Sequence, residues 1–117
     1  DLPMRVYLRK IVKYQKRLAE DPENQVFRAK IEKCHRFITG KMKKEFESEE
    51  YSTFDRLLKT IEAMSVEDRP ALIPLLKDIQ ELLSFKLLQE KDWYASKKLL
   101  QLREKLKSWG IHKHFPY

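Results

Sequence analysis

Cys34 and His35 are adjacent, and a thiol beside an imidazole is the least a cysteine nucleophile needs, because the reactive thiolate forms next to a base or a cation. His112 and His114, one residue apart, would add the nitrogen ligands that zinc takes. Neither pattern goes far. The paired spacings of a structural zinc site are missing, and apolar residues recur at helical intervals on both sides of Cys34, which puts its thiol in a packed seam. The 18 Asp and Glu residues are scattered along the chain, so no general acid–base pair stands out. The expectation is a non-catalytic protein with no metal and no cofactor.

Charge speaks more clearly. The 25 Lys and Arg residues give a net charge of +7, unevenly distributed: net +4 over residues 1–50, −2 over 51–90 and +5 over 91–117. If the two ends meet, they form a basic face suited to phosphates or to an acidic protein segment; otherwise the charge is solubilising. The sharpest local case is the first predicted helix, Pro3 to Glu20. At about 100° per residue, Met4, Tyr7, Leu8, Ile11, Val12, Tyr14 and Leu18 share one arc, while Arg5, Arg9, Lys10, Lys13, Lys16 and Arg17 fill the other. The ordinary reading is the wet back of a bundle helix. The alternative is a nucleic-acid contact through Arg5, Arg9, Lys13, Lys16 and Arg17. That contact would go to phosphates and depend steeply on salt, since the arc has no Ser/Thr/Asn/Gln-rich stripe to read bases. A membrane surface is disfavoured because Tyr7 and Tyr14 lie among residues the core needs.

A third signal is apolar surface left over after each helix has supplied its seam. Trp93 and Leu100 are seven apart and off the main seam of their helix; Phe85 and Leu88, and Val26 and Phe37, are off the seams of theirs. Such residues either meet a second neighbour or form a docking patch, as aromatic and aliphatic clusters rimmed by lysine do. The docking reading uses Trp93, Tyr94, Leu100 and Phe85 as anchors and Lys97, Lys98 and Arg103 as a charged rim. The partner is then another protein, a helix or an acidic linear motif.

The elements that must hold these residues follow from periodicity. Apolar residues recur near every 3.6 positions and no run alternates like a strand, which predicts an all-α protein, a compact bundle of about five helices, mostly antiparallel neighbours. The 117 residues suffice for one domain, and Asp1 as the first residue reads as a domain of something longer. Two glycines are too few for a dinucleotide fold or a P-loop. The second helix is expected to start at Asp21-Pro22, with Asp21 as cap, to bury Phe27, Ile31, Cys34, Ile38, Met42 and Phe46, and to kink or end at Gly40. Ser52 and Asp55 suggest a capping box for the third. Pro74 opens or kinks the fourth, whose Leu72, Leu75, Leu76, Ile79, Leu82, Leu83 and Leu87 form the greasiest face. Asp92 caps the fifth, with a heptad-like seam of Ala95, Leu99, Leu102, Leu106 and Trp109 that a homodimer would also satisfy. Gly110 and Ile111 end it in a Schellman motif, and 111–117 form an irregular tail. A single cysteine rules out an internal disulfide and favours an intracellular home. Within the cell the nucleus is preferred to the cytoplasm, and transcription regulation is the expected setting, by analogy with small helical bundles of transcription and chromatin factors.

Overall fold

The computed structural model describes residues 2–115; Asp1, and Pro116 and Tyr117 of the tail, lie outside them. The described residues form five α-helices and no strand: α1 (Met4–Glu20), α2 (Gln25–Glu47), α3 (Ser52–Glu62), α4 (Ile73–Glu90) and α5 (Trp93–Ser108). A 3₁₀ segment, Val66–Leu72, leads into α4, and a 3₁₀ turn, His112–His114, follows α5. α1 packs on α2, on α3 and on the 3₁₀ segment, α2 also packs on α3 and α4, and α4 pairs with α5. The result is an all-α bundle of 42 × 29 × 24 Å.

Its centre is made by the stripes that periodicity marks. Leu8 and Ile11 from α1, Ile38 and Met42 from α2, Phe54, Leu57 and Ile61 from α3, and Leu72, Leu75, Leu76, Ile79 and Leu83 from the 3₁₀ segment and α4 are fully buried. Each such side chain contributes about 1.5–3 kcal/mol over leaving it exposed. The α5 seam is buried within the same chain, so it is not an open stripe awaiting a second copy. Asp92 caps α5, accepting from the Tyr94 and Ala95 amides at 2.8 and 3.4 Å. Pro74 sits in the first turn of α4, where its missing N–H costs nothing. Gly110 adopts φ 74°, Ile111 N–H donates to the Leu106 carbonyl and Gly110 N–H to that of Lys107, which is the Schellman pairing. Ile111 and Phe115 are buried, so this part of the tail covers the bundle.

Three local expectations are corrected. The second helix starts at Gln25, not at Pro22: Asn24 is its cap and accepts from the Phe27 amide. Pro22 instead occupies a turn whose carbonyl accepts from the Arg28 guanidinium. Gly40 neither kinks nor ends α2, which runs unbroken to Glu47. Its cost of about 1 kcal/mol is outweighed by the burial of Ile38, Met42 and Phe46 around it. No capping box forms at Ser52, which is the first helical residue of α3. The cap comes from another helix: the Glu45 carboxylate accepts from the Thr53 amide at 2.9 Å, the Thr53 hydroxyl and the Ser52 hydroxyl.

Candidate docking surface on the last two helices

The α4–α5 hairpin turns on a single left-handed residue, Lys91 at φ 53°, and is fixed by a polar cluster under the turn. Lys86, whose side chain is only 7% exposed, reaches Glu90 at 2.7 Å and Asp92 at 3.6 Å. The Tyr51 hydroxyl donates to Asp92 at 3.0 Å. Burial pushes the Asp92 carboxyl up, but the hydrogen bonds from Tyr51 and the α5 amides, with the Lys86 charge, outweigh it and hold the group below its ordinary value. Burial would lower the Lys86 ammonium, and Glu90 and Asp92 reverse that, so it titrates above its ordinary value. The Tyr51 phenol is pushed up by burial and by its acidic partner. The cluster is therefore a charged knot that sets where α5 begins, and with it where Trp93 and Tyr94 stand.

Trp93 is 78% exposed, and Tyr94, Leu100, Phe85 and Leu88 are exposed as well. By helical spacing Trp93 and Leu100 lie opposite the buried seam of α5, and Phe85 and Leu88 opposite that of α4. The cations divide. Lys97 is exposed and sits over the Tyr94 ring at 5.8 Å. Lys98 is turned toward α3, bonded to Asp55 at 2.8 Å, so it ties α5 to the bundle. Arg103 is half-buried and lines a shallow hollow with Glu104, Lys107 and His112. Lys91 and Lys107, which the sequence reading does not single out, are exposed and have no carboxylate partner among the described residues. Their signal was the excess of base over acid after residue 90.

The cations of α1 do not act as one surface. Arg5 and Arg9 line an open hollow of about 520 Å³ with Lys59, Thr60 and Asp68. Lys16 is bonded to that Asp68 at 2.8 Å, while Lys13 and Arg17 lie over the Tyr14 ring on the far side of the helix. Of the surplus apolar residues, Phe37 has a second neighbour, stacking on Tyr7, whereas Val26 is exposed. Cys34 is buried, and burial raises its thiol pKa against the opposing pull of Lys10, Lys33 and Lys30. His35 Nδ1 is 3.8 Å from Asp78, and its Nε2 is buried without a hydrogen-bond partner. Burial lowers the imidazole pKa further than Asp78 and Glu32 raise it. Among the described residues no group of three His, Cys, Asp or Glu side chains is placed to share a metal ion, and no helix is long and apolar enough to cross a membrane.

By fold the chain belongs to the class of small all-α bundles, with exposed aromatic residues on its last two helices. Compared with families of known proteins, with individual characterised proteins and with solved structures, it matches none.

Proposed function

We propose that the chain is a non-catalytic interaction module of an intracellular protein, which holds an acidic amphipathic helix or linear motif against the outer face of the α4–α5 hairpin. Nuclear residence and a role in transcription regulation belong to the same proposal. The observation that carries it is the exposed set Trp93, Tyr94, Leu100, Phe85 and Leu88 on two adjacent helices. Tryptophan and tyrosine dominate binding energy where they become desolvated, and the larger part of each of these residues is left uncovered by the fold. The acidic character of the partner follows from charge: Lys91, Lys97 and Lys107 edge the patch without carboxylate partners among the described residues. Lys98 is not part of this rim.

The test is a titration with a synthetic 20-residue amphipathic peptide carrying Leu and Phe at helical spacing on one face and Glu on the other. Trp93 emission should shift to the blue as its ring leaves water. Trp93→Ala, read by anisotropy of a labelled peptide, should weaken binding at least tenfold while helicity and melting stay near wild type. Unfolding of that variant, or undiminished binding, removes the assignment.

A further inference from the structure

A second surface, on α1 and α2, points to a different ligand and does not depend on the Trp93 reading. α1 and α2 pack with two ring pairs between them: Tyr7 on Phe37, stacked at 4.4 Å, and Tyr14 on Phe27 at 5.8 Å. Tyr7 and Tyr14 are seven residues apart, about 10 Å along the helix, so the pairs form a short aromatic row. Phe37 remains 37% exposed and both tyrosines are half-buried, which leaves ring area open to a ligand.

Among the described residues, the charged side chains that line the row's hollow are all cations. A hollow of about 210 Å³ along it is bordered by Tyr7, Tyr14, Phe37, Cys34 and the lysines at 10, 30 and 33, with no acidic residue. Lys13, Arg17 and Lys30 stand 5.3, 5.8 and 5.5 Å from the centre of the Tyr14 ring. None of these five cations has a carboxylate partner among the described residues. The Arg5–Arg9 hollow on the other flank differs, because it contains Asp68. On α2 the pattern continues, since Lys41 and Lys44 follow Phe37 at spacings of four and three.

We infer that the α1–α2 row is a binding groove for single-stranded nucleic acid, with phosphates held by Lys10, Lys30 and Lys33 and one or two bases stacked on Tyr14 and Phe37. Rings interleaved with unpaired cations are what a single strand uses, because every base has a π-face whatever its sequence. A duplex hides those faces and would meet only the charges. An acidic peptide would meet the charges too, but its carboxylate side chains bring no ring to stack on Tyr14 and Phe37.

The test is fluorescence anisotropy of the full chain with labelled dT12 and U12 and with a 12-base-pair duplex, at 50 and 200 mM NaCl. Single strands should bind at 50 mM salt at least tenfold tighter than the duplex and weaken by roughly 20- to 130-fold at 200 mM, as expected for three to five phosphate contacts. Phe37→Leu should lose fivefold or more with little change in the salt slope. Lys30→Glu with Lys33→Glu should lose at least tenfold and flatten that slope. Lys77→Glu with Lys113→Glu, of equal charge change on exposed sites elsewhere, should lose less than threefold. Circular dichroism and melting curves confirm that each variant is folded, and Tyr14→Phe, which keeps the ring, should bind like wild type. The inference is overturned by any of four results: no binding at 50 mM salt, a duplex bound as tightly as the single strand, equal losses in the two charge-reversed variants, or polyglutamate displacing the strand at equal charge concentration.

Discussion

The α1–α2 row and the α4–α5 hairpin both place aromatic rings and lysines at the surface, yet they are held by different forces. In the first, the rings are the contact between the helices, Tyr7 on Phe37 and Tyr14 on Phe27. In the second, Trp93 and Tyr94 are exposed and their position is set from below by the polar knot of Lys86, Tyr51 and Asp92. A ring that also joins two helices cannot be removed without loosening the fold. A ring carried on a pre-set hairpin can. The two surfaces therefore separate stability from recognition to different degrees.

The largest effect should come from breaking the knot. Asp92→Ala removes a helix cap, worth about 0.5–2 kcal/mol, and strips a buried cation of one partner, worth about 1–3 kcal/mol more. Urea unfolding should show a loss of about 3 kcal/mol, and adding Lys86→Met should recover part of it. A loss below 1 kcal/mol would show that α5 is positioned by packing alone. The ring comparison is the next step down. Phe37→Ala should cost about 1 kcal/mol through its stack with Tyr7, while Trp93→Ala stays within about 0.5 kcal/mol of wild type. Equal costs would erase the contrast.

Acid should act on both halves of the bundle. Asp92 is held below its ordinary value against the effect of burial by its donors, and so is Glu45, by Thr53, Ser52 and Lys41. Their folded forms keep the charge where the unfolded chain would be protonated. That stability is fully present above about pH 4.5, near the unfolded carboxylate values, and is lost as pH falls through the folded ones. His35 has a lowered pKa because it is buried, so the unfolded chain binds more protons below about pH 6.5. Stability should thus decline in two stages on acidification, first below about pH 6.5 and again below about pH 4.5. Urea midpoints from pH 8 to 3 would show this, and His35→Gln should abolish only the upper stage. The smallest effect is a gain. Gly40 lies inside α2, and a Cβ built there meets nothing within 4 Å. Gly40→Ala should stabilise by about 0.5–1 kcal/mol, raising the melting temperature by a few degrees.

What the sequence revealed is what depends on neighbours along the chain. The Gly110 ending, the Asp92 cap and Pro74 at the head of α4 are each written in a few consecutive residues. The buried stripes follow from a period that needs no tertiary knowledge. What stayed hidden depends on which helix lies opposite. Glu45 looks like one of several acids leading to a connector, and becomes the cap of α3 only because the chain folds back on itself. Lys86 reads as a surface lysine on α4; its i, i+4 partner Glu90 was visible, but the Tyr51–Asp92 pair beneath it was not. Lys98 looks equivalent to Lys97 and differs only because Asp55 faces it across the bundle. The exposure of Trp93 was legible from its place off the seam of its helix. The ring row was not, since Phe37 and Tyr7 meet only once α1 and α2 pair.

The most direct test uses the two tryptophans against each other. Trp109 is buried, with its indole N–H donated to Glu62, whereas Trp93 is open to solvent. In a ¹⁵N-labelled sample titrated with the acidic amphipathic peptide, the Trp93 indole resonance and the amides of residues 85–100 should move in a saturable way while the Trp109 indole stays fixed. Shifts confined to α1 and α2, or a Trp93 indole that does not respond at saturating peptide, would contradict the assignment of the hairpin as the docking face.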